Sequence, residues 1–373
     1  MTILAWFLIG FLMLRLAVVI TNLVTRPWLN KDRNKRCSEE TPGAQALVSV
    51  LIPARNEASG IGSLLEDLIR HDYRNLEILV YDDLSTDDTA HKVREYERRD
   101  SRIRLIPGDK LPEGWLGKNH ACHRLAGEAR GQYFLFLDAD VTIESGLIIS
   151  ALEHLRKHHL ALLSIFPQQQ LETRGELAVV PLMNWILVSM LPLILTRRSS
   201  RPSLSAANGQ FMLFESGTYL QNQFHRQVRN QKVEDILIFR LMKRERLRVQ
   251  TLLSNGQVKC RMYRGFREAI QGFSKNVFEF FGGSVPLAFV FMLITLLGFV
   301  PVWIALGPQA ALGYLVVGLA IRMLAALVSR QSLAGNFFFA PVQQISLILV
   351  ILNGLNDRIK KQTTWKGRKV DQV

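Results

Sequence analysis

The sequence predicts an α/β fold with a mostly parallel sheet, helices on both of its faces, and transmembrane helices at both chain ends. Three observations predict it. Short runs of Val, Ile, Leu and Phe alternate with helical patterns between residues 47 and 167. Residues 3–24 are apolar for long enough to cross a membrane. Three further stretches of that kind follow residue 284.

The first element is "ILAWFLIGFLMLRLAVVITNLV", residues 3–24, interrupted only by Arg15, one glycine and a threonine–asparagine pair. That length spans a hydrocarbon core of about 30 Å. No basic leader and no small-residue cleavage site accompany it, so the stretch reads as an uncleaved anchor, residues 1–25. Arg26, Lys31, Arg33, Lys35 and Arg36 follow, and the positive-inside rule then places the next domain, residues 45–265, in the cytoplasm of a multi-pass cell-membrane protein.

The strand candidates come next: "LVSVLIPARN" (47–56), "NLEILVYDD" (75–83), "RIRLIP" (102–107) and "YFLFLD" (133–138). Continuous apolar runs suit strands buried on both faces. Between and after them, residues 61–69, 118–130 and 146–159 read as helices. In such sheets ligands bind beyond the carboxyl ends of the strands. Those ends carry Arg55, Asn56 and Glu57, then Asp82 and Asp83, then Asp138 and Asp140. Two carboxylates at i and i+2 point the same way while a strand lasts. Together they suit one hard divalent cation, Mg or Mn, bridging to a diphosphate. "STDDTA" (85–90) is a helix start in which plain capping accounts for Asp87 and Asp88. "ASGIG" after the first strand is neither a dinucleotide nor a P-loop glycine motif, which argues against both classes. His120 and His123 have no acidic partner at metal spacing and read as surface polar residues.

The charge and the cysteines bound the partners. Lys and Arg outnumber Asp and Glu, 46 to 32, for a formal net charge of +14 over 373 residues. Many of the basic residues flank apolar stretches, where they attract anionic membrane lipids. Nucleic acid is excluded as a partner, because the aromatics lie in apolar segments rather than on a basic soluble face. Cys37, Cys122 and Cys260 are far apart and read as free thiols.

"IPARNEA" (52–58), "YDDLSTDDTA" (81–90) and "FLDADV" (136–141) together resemble the inverting family 2 glycosyltransferases of GT-A, Rossmann-like fold. The resemblance covers about 220 residues. It implies that Pro53, Arg55, Glu57, Asp82, Asp83, Lys118 and Asp138 bind a nucleotide-sugar and that Asp138 and Asp140 hold the metal. "KVEDIL" (232–237) falls where the family carries its catalytic acid motif, which makes Asp235 the general base and Glu234 its neighbour. "CRMYRGF" (260–266) resembles a (Q/R)xxRW motif, with Arg261 and Arg264 in place and Gly265 standing for the usual tryptophan. On a helix, the spacing of those arginines puts both on one face, suited to clamping a phosphate. "GWLGKNHAC" (114–122), "MYRGFREAIQGFSKN" (262–276) and "WKGR" (365–368) are similar to the membrane-bound diaponeurosporenoate (C30 carotenoid acid) glycosyltransferase subgroup, which implies a lipid or carotenoid-like acceptor. The alternative is a non-catalytic membrane protein that uses a nucleotide-sugar-binding domain for sensing or assembly.

The remaining segments fit a membrane enzyme. Residues 177–195 hold two prolines, Asn184 and Ser189, and read as interfacial or re-entrant: a true crossing would put Asp138 and Asp235 on opposite sides. Residues 266–283 read as an amphipathic interfacial segment. Residues 284–356 hold the late candidates 285–306, 310–328 and 337–355, with Arg322 inside the second, and 357–373 form a basic tail. If all three cross, that tail lies outside, against the positive-inside rule.

Overall fold

A computed structural model describes residues 1–30 and 46–360, and the backbone of two short strands, 364–365 and 368–369. Lys31, Arg33, Lys35, Arg36, Cys37 and most of the basic tail lie outside the described residues. The chain divides into two compact units. One comprises residues 28–168 and 194–261 with the short strands after residue 363; the other comprises 1–27, 169–193 and 262–363.

The elements follow one another along the chain. The anchor is α1 (Thr2–Thr25). Next come β1 (Val48–Ala54), α2 (Ile61–Arg70), β2 (Leu76–Asp82), α3 (Thr89–Arg99), β3 (Ile103–Pro107), α4 (Gly117–Glu128), β4 (Tyr133–Leu137), β5 (Val141–Ile143), α5 (Leu147–Lys157) and β6 (Leu162–Phe166). The two-residue β7 (Gln168–Gln169) precedes α6 (Arg174–Val179), α7 (Pro181–Met190) and α8 (Ile194–Arg198). Then follow β8 (Phe211–Glu215), α9 (Ser216–Asn222), α10 (Phe224–Gln227), α11 (Glu234–Arg244), β9 (Val249–Leu253) and β10 (Val258–Cys260). The last helices are α12 (Phe266–Ser274), α13 (Val285–Leu297), α14 (Phe299–Leu306), α15 (Pro308–Val328), α16 (Leu333–Phe338) and α17 (Ala340–Lys360).

In the sheet unit, seven strands run in the order β3-β2-β1-β4-β8-β6-β9. Neighbours are parallel except around β8, which is antiparallel to both β4 and β6. The four strands expected from the sequence are β1 to β4. Pro53 sits on β1 opposite Tyr81, past the last residue of β1 that pairs with β4, so its missing N–H leaves no gap there. The core is a continuous packing of Phe134, Phe136, Phe214, Tyr219, Phe224, Ile238 and Phe239, among others, which ties α11 to the middle of the sheet. The antiparallel insertion of β8 matters for function. Its register pairs Phe211 with Leu137, so the residues that enter β8 lie beside the residues that leave β4.

In the helical unit, α1 and α15 are long and apolar enough to cross a membrane. The pair α13 and α14, bent by 53°, adds a third if it forms one broken span. The segment 177–195 is α6, α7 and the break before α8. One of its prolines, Pro181, opens α7, and the other, Pro192, follows its end, both places where a missing N–H costs little. The polar residues of the anchor are explained here. Asn22 donates to the carbonyls of Val188 and Leu191 at 2.8 Å each and accepts from Leu193 N at 2.7 Å, so it closes the C-terminal end of α7. The apolar side of α12 and the turn after it, including Ile270, Phe273 and Val277, is buried inside the unit, and Phe266 and Phe280 remain exposed.

Candidate active site

The site is built at the carboxyl ends of the parallel strands. At β1 and β2, two loops are sewn together. Thr86 N donates to Asn56 Oδ1 at 2.8 Å, Glu57 N to Thr89 Oγ1 at 2.8 Å and Ala58 N to Asp87 Oδ2 at 3.0 Å. Asn56 and Leu84 both adopt left-handed backbone angles, φ 53° and 54°, at the tips of these loops. Asp87 also accepts from Thr89 N. Burial works against its charge, but the hydrogen bonds from Thr89 and Ala58 hold its carboxyl below the usual range. Plain capping does not account for both acids: Asp88, at the N-cap of α3, makes no side-chain cap bond, whereas Asp87 ties the helix start and anchors the β1 loop. Arg55 donates to the carbonyls of Asp83 and Leu84 and lies 3.9 Å from the Asp83 carboxylate. Asp82 presents a buried Oδ1 with no hydrogen-bond partner at the end of β2, open to a ligand donor.

At the centre, Lys118 Nζ, in the first turn of α4, lies 2.9 Å from Asp138 Oδ1 and 3.0 Å from Glu234 Oε1. Burial works against the ammonium, but Asp138 and Glu234 hold its pKa well above the ordinary lysine value. Asp235, beside Glu234 in the first turn of α11, accepts from Gly209 N at 2.9 Å and Ile236 N at 2.7 Å. Burial, and then the neighbouring Glu234, push its pKa up to about 7, against the opposing pull of Lys118 and the two amides. Four groups from three separate places in the chain therefore share one cluster.

Gly209 makes this approach possible. A Cβ there would lie 2.9 Å from Lys118 Nζ and 3.2 Å from Glu234 Oε1. Its neighbours fix it. Ser164 Oγ accepts from Asn208 N at 2.9 Å, and Gln210 N donates to Asn208 Oδ1 at 2.8 Å. Gln210 Nε2 donates to Cys260 Sγ at 2.9 Å and reaches Asp140 Oδ1 at 3.5 Å. The sequence reading passed over Asn208, Gly209 and Gln210. The available signal was an Asn-Gly turn just before the apolar run "FMLFE".

Several expectations are corrected. Strand β4 stops at Leu137, and Asp138 to Asp140 form a turn, so the strand pleat does not align the two carboxylates. Arg261 and Arg264 are not on a helix: β10 ends at Cys260 and α12 starts at Phe266, so the shared-face argument fails for them. Arg264 belongs to the helical unit, where its amide donates to Glu268. Gly265 has φ 114°, a conformation that a tryptophan would adopt only under strain, so the departure from the motif is a backbone requirement. His120 is buried rather than on the surface, edge-on to Trp115 and Tyr81. Asn119, a candidate to touch the nucleotide as the neighbour of Lys118 at the start of a helix, donates its amide to the carbonyls of Val228, Arg229 and Gln231. Cys122 and Cys260 are buried free thiols, as expected.

Residues 49–217 match the family model "Glycosyl transferase family 2". This stretch, a little under half of the chain, is similar to the family 2 glycosyltransferases. The Glu234–Asp235 pair lies beyond the matched residues. The chain is also similar to a 4,4'-diaponeurosporenoate glycosyltransferase of Staphylococcus haemolyticus (strain JCSC1435), 28% identical over 277 residues, which cover 74% of this chain and 71% of that protein. A protein of the same name from Staphylococcus aureus (strain MRSA252) is 25% identical over 256 residues, 67% of this chain and 66% of the relative. Among solved structures, a mannosyltransferase from Pyrobaculum calidifontis, in complex with GDP-Man and Mn2+, superposes with a TM-score of 0.54 at 17% identity. That match covers 95% of this chain and 99% of the other, and the likeness is one of fold, GT-A.

Proposed function

We propose that the protein is an inverting, metal-dependent hexosyltransferase that moves a sugar from a nucleotide-sugar to a membrane lipid or carotenoid-like acceptor. The observation that carries this reading is the position of Asp235 in the cluster at the ends of the strands. Burial and the neighbouring Glu234 raise its pKa, which favours a general base. It is held by two amides and stands in one cluster with the Asp138 carboxylate through Lys118 and Glu234.

In this reading Asp235 takes the proton from the acceptor hydroxyl or carboxyl as it attacks the sugar. Glu234 keeps the Asp235 pKa high and anchors Lys118. The nucleotide lies along Pro53, Arg55, Glu57, Asp82, Asp83, Lys118, Asp138 and Arg261. The open Oδ1 of Asp82 supports a ligand hydroxyl or amine at that end.

The residues present suit Mg or Mn. Asp138 and Asp140 are hard oxygen donors, and the buried Oε1 of Gln210 next to them has no hydrogen-bond partner. No group of three or more His, Cys, Asp or Glu among the described residues is arranged to hold a metal by itself. An ion on Asp138 and Asp140 would have to complete its shell with substrate phosphates. Asp138 and Asp140 would hold such an ion, which would supply charge neutralisation at the leaving diphosphate. The neighbour's GDP-Man and Mn2+ support the same classes of donor and ion.

The relatives' names support a carotenoid-like acceptor, and the apolar helices α1 and α15 support a membrane location; the basic residues that follow the anchor support a cytoplasmic sheet unit. The domain limits proposed are an anchor over 1–25, a transferase domain over 45–265 and membrane helices over 284–356. The test is nucleotide release by membranes supplied with a sugar nucleotide and Mg2+ or Mn2+, with and without a lipid extract. Release that requires lipid, metal and Asp235 supports the reading. Metal-dependent nucleotide binding without release from any common sugar nucleotide overturns it in favour of sensing or assembly.

A further inference from the structure

Two arginines lie deep inside the helical unit. Arg15 on α1 is 3% exposed and Arg322 on α15 is 6% exposed. Both guanidiniums face the same indole, with Arg15 Cζ 4.6 Å and Arg322 Cζ 4.3 Å from the Trp185 ring. Phe291 offers Arg15 another face at 4.9 Å. Every polar partner is neutral. Arg15 Nη2 donates to Ser189 Oγ at 2.7 Å, and Arg322 donates to Gln343 Oε1 and, at 3.5 Å, to Gln344 Oε1. These amides are themselves tethered: Gln343 Nε2 donates to Leu177 O at 2.9 Å and Gln344 Nε2 to Thr295 Oγ1 at 2.9 Å. Among the described residues no carboxylate pairs with either arginine.

The unmatched atoms here are all of one kind. Arg15 Nε and Trp185 Nε1 are buried with no acceptor. Both are donors, and both stand beside two positive charges of like sign. Burying a cation without a counter-charge is costly, and intramembrane arginines as a rule mark a partner. Ring faces and amides offset part of that cost. They offer no negative charge and leave these two donors idle. The missing component is therefore an acceptor that carries negative charge. The helices that bear the arginines expose Leu4, Phe7, Leu14, Leu312, Leu315 and Val316, a surface suited to an alkyl or polyene chain.

We propose that the Arg15–Trp185–Arg322 stack binds an oxyanion, a carboxylate or phosphate, carried on an apolar tail. The guanidinium fork matches either head group in a bidentate fashion, and one anion between the two arginines removes their mutual repulsion. The inference rests on the helical unit alone and does not depend on the transferase reading.

The test uses the full chain in a neutral detergent. Cis-parinaric acid, a polyene carboxylate that quenches tryptophan fluorescence, is titrated against its methyl ester, which has the same tail and no charge. The acid is expected to bind about tenfold or more tightly than the ester, the scale of a charge-assisted hydrogen bond. That preference is expected to be lost in Arg15→Met and in Arg322→Met. Competition by phosphatidic acid but not by inorganic phosphate supports a tailed anion, and equal competition by inorganic phosphate overturns the apolar tail. Equal binding of acid and ester to the wild-type chain overturns the proposal without any variant. An acid preference that survives in both methionine variants overturns it as well.

Discussion

Charge is buried in both units of this chain, under opposite conditions. In the sheet unit, Lys118 stands between Asp138 and Glu234, and two amides hold Asp235 beside them. In the helical unit, Arg15 and Arg322 both face one indole, with only amides and a hydroxyl as polar partners. The first cluster carries acids in excess of bases and the second carries bases alone. A cluster with spare carboxylates suits a cation and a proton acceptor, whereas a cluster of cations suits an anion. The sign of the uncompensated charge thus separates the chemistry of the two regions.

The comparison is open to attack at several points. The largest effect is expected from Asp235→Asn, which should keep nucleotide binding and lose transfer by about 100-fold or more, the scale of a general base. Nucleotide release at saturating donor reads it, and retained turnover would move the base elsewhere. Asp138→Ala and Asp140→Ala should each abolish metal-dependent nucleotide binding in a titration with and without chelator. Unchanged affinity in both would remove the metal from that end of the cluster.

In the helical unit, Trp185→Ala should lower stability by about 3–5 kcal/mol, since it empties core volume and leaves two guanidiniums without their shared ring. Thermal unfolding measures it, and a change below about 1 kcal/mol would make the stack incidental. The electrostatics sharpen the picture further. Because the Asp235 pKa is raised to about 7, the base is protonated as pH falls and activity should decline below about pH 7. Lys118 pulls that pKa down and Glu234 pushes it up. Lys118→Met should therefore move the acid limb of the pH–rate profile upward, and Glu234→Gln should move it downward. Shifts of one sign in both variants would contradict the cluster's wiring. The smallest effect is expected from Asp87→Ala, about 1 kcal/mol of stability through the lost cap and loop tie. Denaturant unfolding at neutral pH would detect it.

Much of this was legible because it is local. Strands β1 to β4 announce themselves as continuous apolar runs, and their acids stand at the carboxyl ends for any reader of the pattern. Asp138 and Asp140 stood out because carboxylates end an apolar run. The turn that carries them was not legible, because where a strand stops depends on its partners, and β4 ends where β8 begins. Gly209 was passed over for the same reason: its value lies in what it does not touch, and Lys118 and Glu234 come to it from distant helices. The expectation of a helix across Arg261 and Arg264 failed because spacing alone cannot tell a helix face from an extended segment after a short strand.

By itself the sequence determined the alternation of strands and helices, the apolar helices of both ends and the acids at the strand ends. These follow from hydrophobic periodicity and residue chemistry, which act over a few neighbours. Only the tertiary structure decided the insertion of β8 antiparallel to its neighbours, which brings Asn208–Gln210 to Asp138. Only it decided that Asn22 closes α7 and that Arg15 and Arg322 meet on Trp185. Those pairings join residues 70 or more positions apart. They are fixed by which buried polar groups find partners when the chain packs, a condition that no local pattern records.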